Sequence, residues 1–206
     1  MGVVYVPSHF EASADQLAAL LAAPGLVELV SAGPDGLVAT PLPMLHVPSD
    51  SGPGSLYGHV ARNNPHWRLA GAATLAIVRG PDGYVSPSWY PSKAEHGQVV
   101  PTWNYLTAHL HGRLVVHDSV SWLRDLVTRL TDRHEAAVGS SWQVTDAPLP
   151  FVDGQLRAIV GVELRIERIE AKAKLSQNRS AADQSSVITA LSDRAPEVAE
   201  LMREKS

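Results

Sequence analysis

Two stretches of this chain gather aromatic rings, hydroxyls and polar groups of the kind that can hold a phosphorylated, planar small molecule. The first is Tyr84-Val85-Ser86-Pro87-Ser88-Trp89-Tyr90-Pro91-Ser92-Lys93. Read as a strand over Tyr84–Trp89, it puts Ser86 and Ser88 on one face, because side chains alternate along extended backbone. Hydroxyls beside a lysine suit a phosphate, and an aromatic can flank a flat ring. An aromatic core strand ending in a proline turn explains the same residues equally well. The second stretch, Val100-Pro101-Thr102-Trp103-Asn104-Tyr105, offers stacking area together with an amide. Small-molecule pockets combine apolar walls with a few placed polar groups in this way. Core packing competes here too, and is favoured for Trp103.

Three further segments carry possible chemistry. In Gly58-His59-Val60-Ala61-Arg62-Asn63-Asn64-Pro65 a strand gives way to a short helix. Such a junction leaves backbone N–H groups free for a phosphate, and Arg62 can add a bidentate pair. An arginine on a solvated loop before an Asn-Pro turn is the commoner outcome. In His109-Leu110-His111-Gly112-Arg113 two histidines share a strand face, as metal ligands can. Only distant partners such as His9, His59 or His96 could complete a site, and nine histidines make chance pairs common, so no metal is expected. Lys172-Ala173-Lys174-Leu175-Ser176-Gln177-Asn178-Arg179 can close a pocket or meet a partner subunit; a solvated basic exit from a strand is the favoured reading. No nucleophile–histidine–carboxylate pattern, Gly-rich nucleotide loop, Walker loop or HExxH occurs.

These residues must be positioned by many short strands. Leu26–Ser31, Leu37–His46 and Leu56–Ala61 read as strands. So do Ala73–Arg79, Tyr84–Trp89, Val99–Tyr105 with Ala108–His117, and Val160–Ile169. Turns are expected at Gly33-Pro34-Asp35-Gly36 and Gly80-Pro81-Asp82-Gly83, and loops over Ser49–Gly54 and Pro91–Gly97. Pro41 and Pro43 suggest an edge or a bulge, and Gly112 a bulge. Helices are expected over Ala14–Ala23, after Asn64-Pro65, from Asp118 or Ser119 to His134, over Ala147–Ala158, and in a tail split around Pro196. Strands joined by hairpin-like turns argue against a doubly wound sheet, which needs a helix after nearly every strand. An antiparallel barrel with outer helices fits better.

Composition narrows the function. The chain has 206 residues, no cysteine and a net charge of −4, with 18% charged residues. A share below the usual ~25% suggests surface covered by a partner, most simply a second copy. An acidic chain does not favour a broad grip on nucleic acid, and the tail helices are too acidic for a reading element. Met1–Phe10 lacks a leader pattern and no apolar run reaches membrane-spanning length, so a cytoplasmic protein without membrane contact is expected.

The motifs, taken in order, resemble those of the PaiB-type family of FMN-binding negative transcriptional regulators. The resemblance starts at Tyr5-Val6-Pro7-Ser8-His9-Phe10 and runs through Gly58–Arg62 with Asn64-Pro65. It is strongest over Tyr84–Tyr90 and Val100–Tyr105, and returns at Leu156–Gly161 and Lys174–Arg179. Where that family carries an aromatic between the two lysines, this chain has Ala173. The resemblance implies a mainly β (α+β) fold: an FMN-binding split β-barrel of antiparallel Greek-key type, with peripheral helices and a helical C-terminal tail. On this reading residues 1–180 form the barrel domain, and 181–206 the tail, packed on the barrel or on the dimer partner. It also implies a homodimer with FMN at the subunit interface. Arg62 and Lys93 become phosphate ligands, with Ser86 and Ser88 as supporting donors. His59, Val60 and Ala61 lie along the ring, and Trp103, Asn104 and Tyr105 complete the pocket. No catalytic side chain is implied. Regulation, with nucleic-acid contact direct or through a partner, is the first functional expectation; a flavin-dependent oxidoreductase acting on a small substrate is the alternative.

Overall fold

A single residue, Met44, joins two strands that lie at opposite edges of one sheet, and this dictates the architecture. The computed structural model describes residues 4–204; Met1–Val3 and Lys205–Ser206, at the ends of the expected barrel domain and tail, lie outside the described residues. The strands are β1 (Leu26–Gly33), β2 (Gly36–Pro43), β3 (Leu45–Ser49), β4 (Gly52–Ala61), β5 (Ala73–Val85), β6 (Thr102–His117) and β7 (Ile159–Lys174), in the sheet order β2-β1-β5-β6-β7-β4-β3. The pairs β1–β2, β1–β5, β3–β4 and β4–β7 are antiparallel. A flat sheet of this order would hold its edges about 29 Å apart, whereas one linking residue spans about 7 Å. The sheet therefore curls until its edges approach. A Cβ on Gly58 of β4 would lie 2.9 Å from Leu42 Cδ1 and 3.0 Å from the Pro43 carbonyl oxygen of β2. No ladder joins β2 to β3, so the barrel stays split.

The chain divides into two compact units: residues 21–78 with 109–169, and residues 4–20 with 79–108 and 170–204. The first, the barrel unit, holds β1 to β4, α3 (Val120–Ala137) and α4 (Leu149–Arg157). The second, the terminal unit, holds α2 (Ser92–His96), α5 (Ala181–Leu191) and α6 (Pro196–Arg203). Strands β5, β6 and β7 contribute residues to both. The N-terminal helix α1 (Ala14–Ala22) begins with a reciprocal cap. The Ser13 hydroxyl accepts from the Gln16 N–H at 3.2 Å, and the Gln16 side chain accepts from the Ser13 N–H at 3.1 Å.

Several local expectations need correction. Gly80-Pro81-Asp82-Gly83 is not a turn; β5 runs through it. Neither glycine has the positive φ that a tight hairpin requires. Both instead permit close packing, since a Cβ on Gly80 would meet Leu106 Cβ at 3.1 Å and one on Gly83 would meet Ala195 Cβ at 3.2 Å. Tyr84–Trp89 is not a strand: β5 ends at Val85, and Pro87–Trp89 forms a 3-10 turn capped by the Ser86 side chain. Pro91–Gly97 contains the short helix α2, closed by Gly97 at φ +66. The expected strand Leu37–His46 is two strands flanking Met44, with proline-bearing β2 at the sheet edge. Strand β6 begins only at Thr102, and β7 runs on to Lys174.

The barrel core holds a buried polar chain whose proton directions can be derived. The Thr74 hydroxyl donates to the Ala72 carbonyl at 3.2 Å, so it accepts from Ser31 Oγ at 2.6 Å. Ser31 Oγ then accepts from His66 Nε2 at 2.8 Å, which leaves Nδ1 to accept from Thr40 Oγ1 at 2.8 Å. Thr40 Oγ1 in turn accepts from Asn64 Nδ2 at 3.4 Å. A neutral imidazole with its proton on Nε2 satisfies the whole series. Burial agrees, lowering the pKa of His66, a side chain with 0% exposure. Asn64 also caps the following 3-10 turn by accepting from the His66 N–H at 2.9 Å. The Asn64-Pro65-His66 segment thus ties β1, β2 and β5 together.

On the other side of this unit, Trp122 of α3 occupies a slot made by Gly161, where a Cβ would overlap the indole and lie 2.7 Å from Cε3. Its ring stacks on His117 at 4.1 Å, with an interplanar angle of 8°. His117 contacts the buried Glu163 carboxylate at 2.7 Å; Ser55 Oγ and Arg165 Nε donate to the same group at 2.9 and 3.2 Å. Burial pushes the Glu163 pKa up, but these hydrogen bonds and the charge of Arg165 outweigh it, so the net shift is downward.

Candidate functional site

The residues singled out from the sequence fall into two groups, one in each unit. In the barrel unit His59, Val60 and Ala61 pair with Gly161, Val160 and Ile159 of β7. Val60 points into the core and is 4% exposed. The Nδ1 atom of His59 is buried without a partner, and burial lowers the pKa of the ring. Arg62 is heavily committed. Its Nε donates to the Arg157 carbonyl at 2.8 Å and Nη2 to the Ile159 carbonyl at 2.9 Å, so it finishes the C-terminal end of α4. It also forms a bidentate pair with Asp118, at 3.0 and 2.5 Å. Hydrogen bonding to Asp118 raises the arginine pKa and lowers that of the carboxylate. Of five guanidinium N–H groups, four are engaged within the unit.

In the terminal unit Ser86 and Ser88 are neighbours, though not by strand alternation. Ser86 Oγ accepts from the Ser88 N–H at 3.2 Å, and the two hydroxyls are 2.7 Å apart. The N–H of Lys93, in the first turn of α2, reaches the Tyr90 carbonyl, and its side chain is exposed. Trp103 is 53% exposed and meets Tyr84 edge-on, with ring centroids 6.0 Å apart. Asn104 faces the opposite way on β6 and has 0% exposure. Its Nδ2 donates to Ser176 Oγ at 3.0 Å, and its Oδ1 accepts from the same hydroxyl at 3.1 Å. Tyr105 lies half-buried beneath the Lys172 ammonium, 5.8 Å from the ring centre.

A cavity of about 370 Å³ opens in this unit between Asp82, Tyr84, Trp89, Trp103, Leu191 and Arg194. That lies toward the lower end of the ~300–1,000 Å³ typical of small-molecule pockets. Arg194 lies over the Trp89 ring at 5.7 Å. Leu191 and Arg194 belong to the C-terminal helical region and were not singled out from the sequence; no spacing links them to Tyr84. Of the residues assigned to a flavin, Trp103 lines this cavity, while Ser86, Ser88, Lys93 and Tyr105 do not; by residue type, the paired hydroxyls and Lys93 suit an anionic group, and the exposed indole and phenol faces a flat ring. Among the described residues no cluster of three His, Asp or Glu side chains could hold a metal ion, and no helix is long and apolar enough to cross a membrane.

One side chain in this unit is spare. The Tyr90 hydroxyl is buried with no hydrogen-bond partner among the described residues, and the residue is 3% exposed. An unmet buried hydroxyl costs about 1–3 kcal/mol. Tyr90→Phe is therefore expected to leave the urea midpoint unchanged or raise it, by up to about 1 kcal/mol in stability. A loss above that size would show that the hydroxyl has a partner in solution.

Comparison with known proteins places the chain in a family. The family described as "Putative FMN-binding domain" matches residues 4–168. The Bacillus subtilis protein named protease synthase and sporulation protein PAI 2 is 32% identical over 154 residues, 72% of each chain. An uncharacterised protein of Emericella nidulans is 31% identical over 164 residues, 66% of this chain and 65% of that one; the present chain thus spans just under two thirds of that fungal relative. Among solved structures, the flavocytochrome Anf3 from Azotobacter vinelandii superposes with a TM-score of 0.58 at 15% identity, over 78% of this chain and 67% of that one. An FAD and haem binding protein from Mycobacterium smegmatis gives a TM-score of 0.55 at 21% identity, over 84% and 77%. At these identities the structural likeness speaks for the fold alone, a split barrel. With a family match over most of its length and a bacterial relative above 30% identity, the chain belongs to the PaiB-type FMN-binding family.

Proposed function

We propose that this protein binds FMN as a homodimer and acts as a negative transcriptional regulator, directly or through a partner. The family match over residues 4–168 carries the reading, and the relative named for protease synthesis and sporulation supports its regulatory part. Ser86, Ser88 and Lys93 hold the phosphate, while Trp103 and Tyr105 supply flat faces for the ring. Arg62 and Asn104 act chiefly as scaffolding, because their polar atoms are already engaged. Flavins supply hydride and electron transfer when bound, and the protein contributes orientation and electrostatics. Exposed Tyr84, Val100 and Trp103 in one unit, and Trp142, Leu149 and Phe151 in the other, support a second copy covering apolar surface. The net charge of −4 favours action through a partner over a broad grip on DNA. A cytoplasmic setting is consistent with this role.

The deciding experiment titrates FMN, FAD and riboflavin into the purified chain and follows flavin fluorescence. FMN should quench at micromolar concentration, and Lys93→Met should weaken FMN about ten-fold, ~1.4 kcal/mol, while leaving riboflavin unchanged. Absence of quenching at tens of micromolar would overturn the reading. Equal loss for FMN and riboflavin would remove Lys93 from the phosphate. Bleaching of the bound flavin by NAD(P)H would favour the oxidoreductase alternative, and light scattering reads the dimer directly.

A further inference from the structure

The end of β7 gathers three cations, none within ion-pair distance of a carboxylate among the described residues. Lys172 and Lys174 are two apart on the strand and so share a face, and Arg179 follows after one turn. Lys174 Nζ donates to Thr102 Oγ1 at 2.5 Å and to the Trp103 carbonyl at 2.6 Å. Lys172 Nζ donates to the Tyr5 carbonyl at 3.0 Å and lies 5.6 Å from the centre of the Tyr5 ring. The Arg179 guanidinium rests 4.9 Å from the centre of the Tyr90 ring. None of the three enters an ion pair within 4 Å among the described residues. Burial, then the charges of Lys172 and Arg179, lower the Lys174 pKa, which places each of the other two within electrostatic reach of Lys174.

Like charges held together in a half-buried setting repel, and the arrangement keeps unused donors. Lys174 has one N–H left of three, and Lys172 has two. No side chain or backbone group among the described residues accepts from the Arg179 guanidinium. Two carboxylates bear on the group without pairing with it: Asp183, on which the charge of Arg179 acts, accepts from the Ser92 N–H and hydroxyl at 3.1 and 2.9 Å, and Glu11 lies opposite Lys172 across an isolated antiparallel bridge. A solvated basic exit from the strand would leave these side chains extended into water. Here one ammonium is instead fixed between a hydroxyl and a carbonyl, and the other two cations lie against aromatic faces.

We propose that Lys172, Lys174 and Arg179 form a binding site for an oxyanion, the phosphate or carboxylate of a small ligand. The oxyanion relieves the mutual repulsion and takes up the spare N–H groups. Tyr5, Tyr105 and Tyr90, beside the cations, favour an anion carried on a flat or apolar body. The segment lies beyond residues 4–168, which the family match covers, and the site stands whether or not a flavin is bound.

The test uses the full-length chain and inorganic phosphate, with sodium chloride at matched ionic strength as the control. Calorimetry should give a millimolar Kd for phosphate, and the midpoint of thermal unfolding should rise with phosphate more than with chloride. Lys174→Met and Arg179→Met should each weaken phosphate about ten-fold. Arg179→Met guards against misfolding, since the Arg179 side chain makes no hydrogen bond within the protein. A chloride-like response of the wild type, or wild-type phosphate affinity in both variants, would overturn the site. Phosphate that competes with FMN but not with riboflavin supports the site and assigns its anion to the flavin. Phosphate that binds equally well with FMN present supports it and assigns the anion to a second ligand. A chain that binds phosphate but no flavin keeps this site and loses the flavin reading; one that binds flavin but not phosphate does the reverse.

Discussion

Gly112→Ala is expected to cost about 3 kcal/mol or more, enough to leave a domain of ordinary stability largely unfolded or insoluble. Gly112 lies in β6, and a Cβ there would overlap the Arg165 carbonyl oxygen of β7, with the Arg165 carbon at 2.7 Å and Ile166 Cα at 3.2 Å. These are backbone atoms of the neighbouring strand, so no side-chain rotation relieves the contact. Relief requires β6 and β7 to separate in the middle of the sheet. Gly52→Ala is the control, because nothing lies within 4 Å of its Cβ position; it should stay within ~0.5 kcal/mol of wild type. Urea unfolding followed by tryptophan fluorescence reads both. A Gly112→Ala midpoint equal to that of Gly52→Ala would mean that the strands are more loosely apposed than the structure has them.

His66→Ala should cost about 3 kcal/mol. Truncating a buried side chain leaves a cavity, and it strips Thr40 of its acceptor and Ser31 of its donor. The same residue gives the protein an acid-sensitive step. Burial holds the folded-state pKa of His66 below its ordinary value of 6.5, so the unfolded chain takes up the proton first. The contribution of the neutral ring is complete above pH 6.5 and declines as pH falls through the lower folded value. Protonation would also turn Nδ1 from acceptor to donor, so that the Thr40 hydroxyl has to rotate and loses its acceptor. His59, lowered by burial as well, acts in the same window. Glu163 acts in a separate and more acidic one: its net folded pKa is below 4.5, so its contribution fades only as pH falls below that value. Unfolding midpoints measured from pH 8 to 5 should fall for the wild type and fall less for His66→Ala. Parallel curves would show that His66 does not titrate with unfolding.

The periodic signals carried most of the elements. The apolar run Leu26–Ser31, read as a buried strand, and the helical spacing of Leu123, Leu126 and Leu130 mark β1 and α3 close to where they lie. Glycine and proline were read less well. In Gly80-Pro81-Asp82-Gly83 the residue types are those of a turn, yet the strand runs through, because the glycines make room for Leu106 and Ala195. Gly161 is similar: an unremarkable glycine in an apolar run proves to be the slot for Trp122. A missing Cβ serves φ freedom and close approach alike, and only the neighbouring chain tells them apart.

The candidate site divides along the same line. Residue types and their order, from Gly58–Pro65 through Tyr84–Lys93 to Val100–Tyr105, carry the family resemblance that implies a flavin-binding split barrel, because the motifs are local and rich in uncommon residues; taken singly they fit core and pocket about equally. Which side chains remain available to a ligand was decided by tertiary structure. Arg62 looks like a free phosphate ligand until Asp118 and the end of α4, far along the chain, take its donors. Asn104 looks like a pocket amide until Ser176, 72 residues away, occupies it. Ser86 and Ser88 do lie side by side, through a capped 3-10 turn. Lys172, Lys174 and Arg179 read as a solvated basic stretch until the fold sets them against Thr102, Tyr5 and Tyr90. Sequence spacing reports what a side chain can do; long-range hydrogen bonds and charges determine whether it is still free to do it.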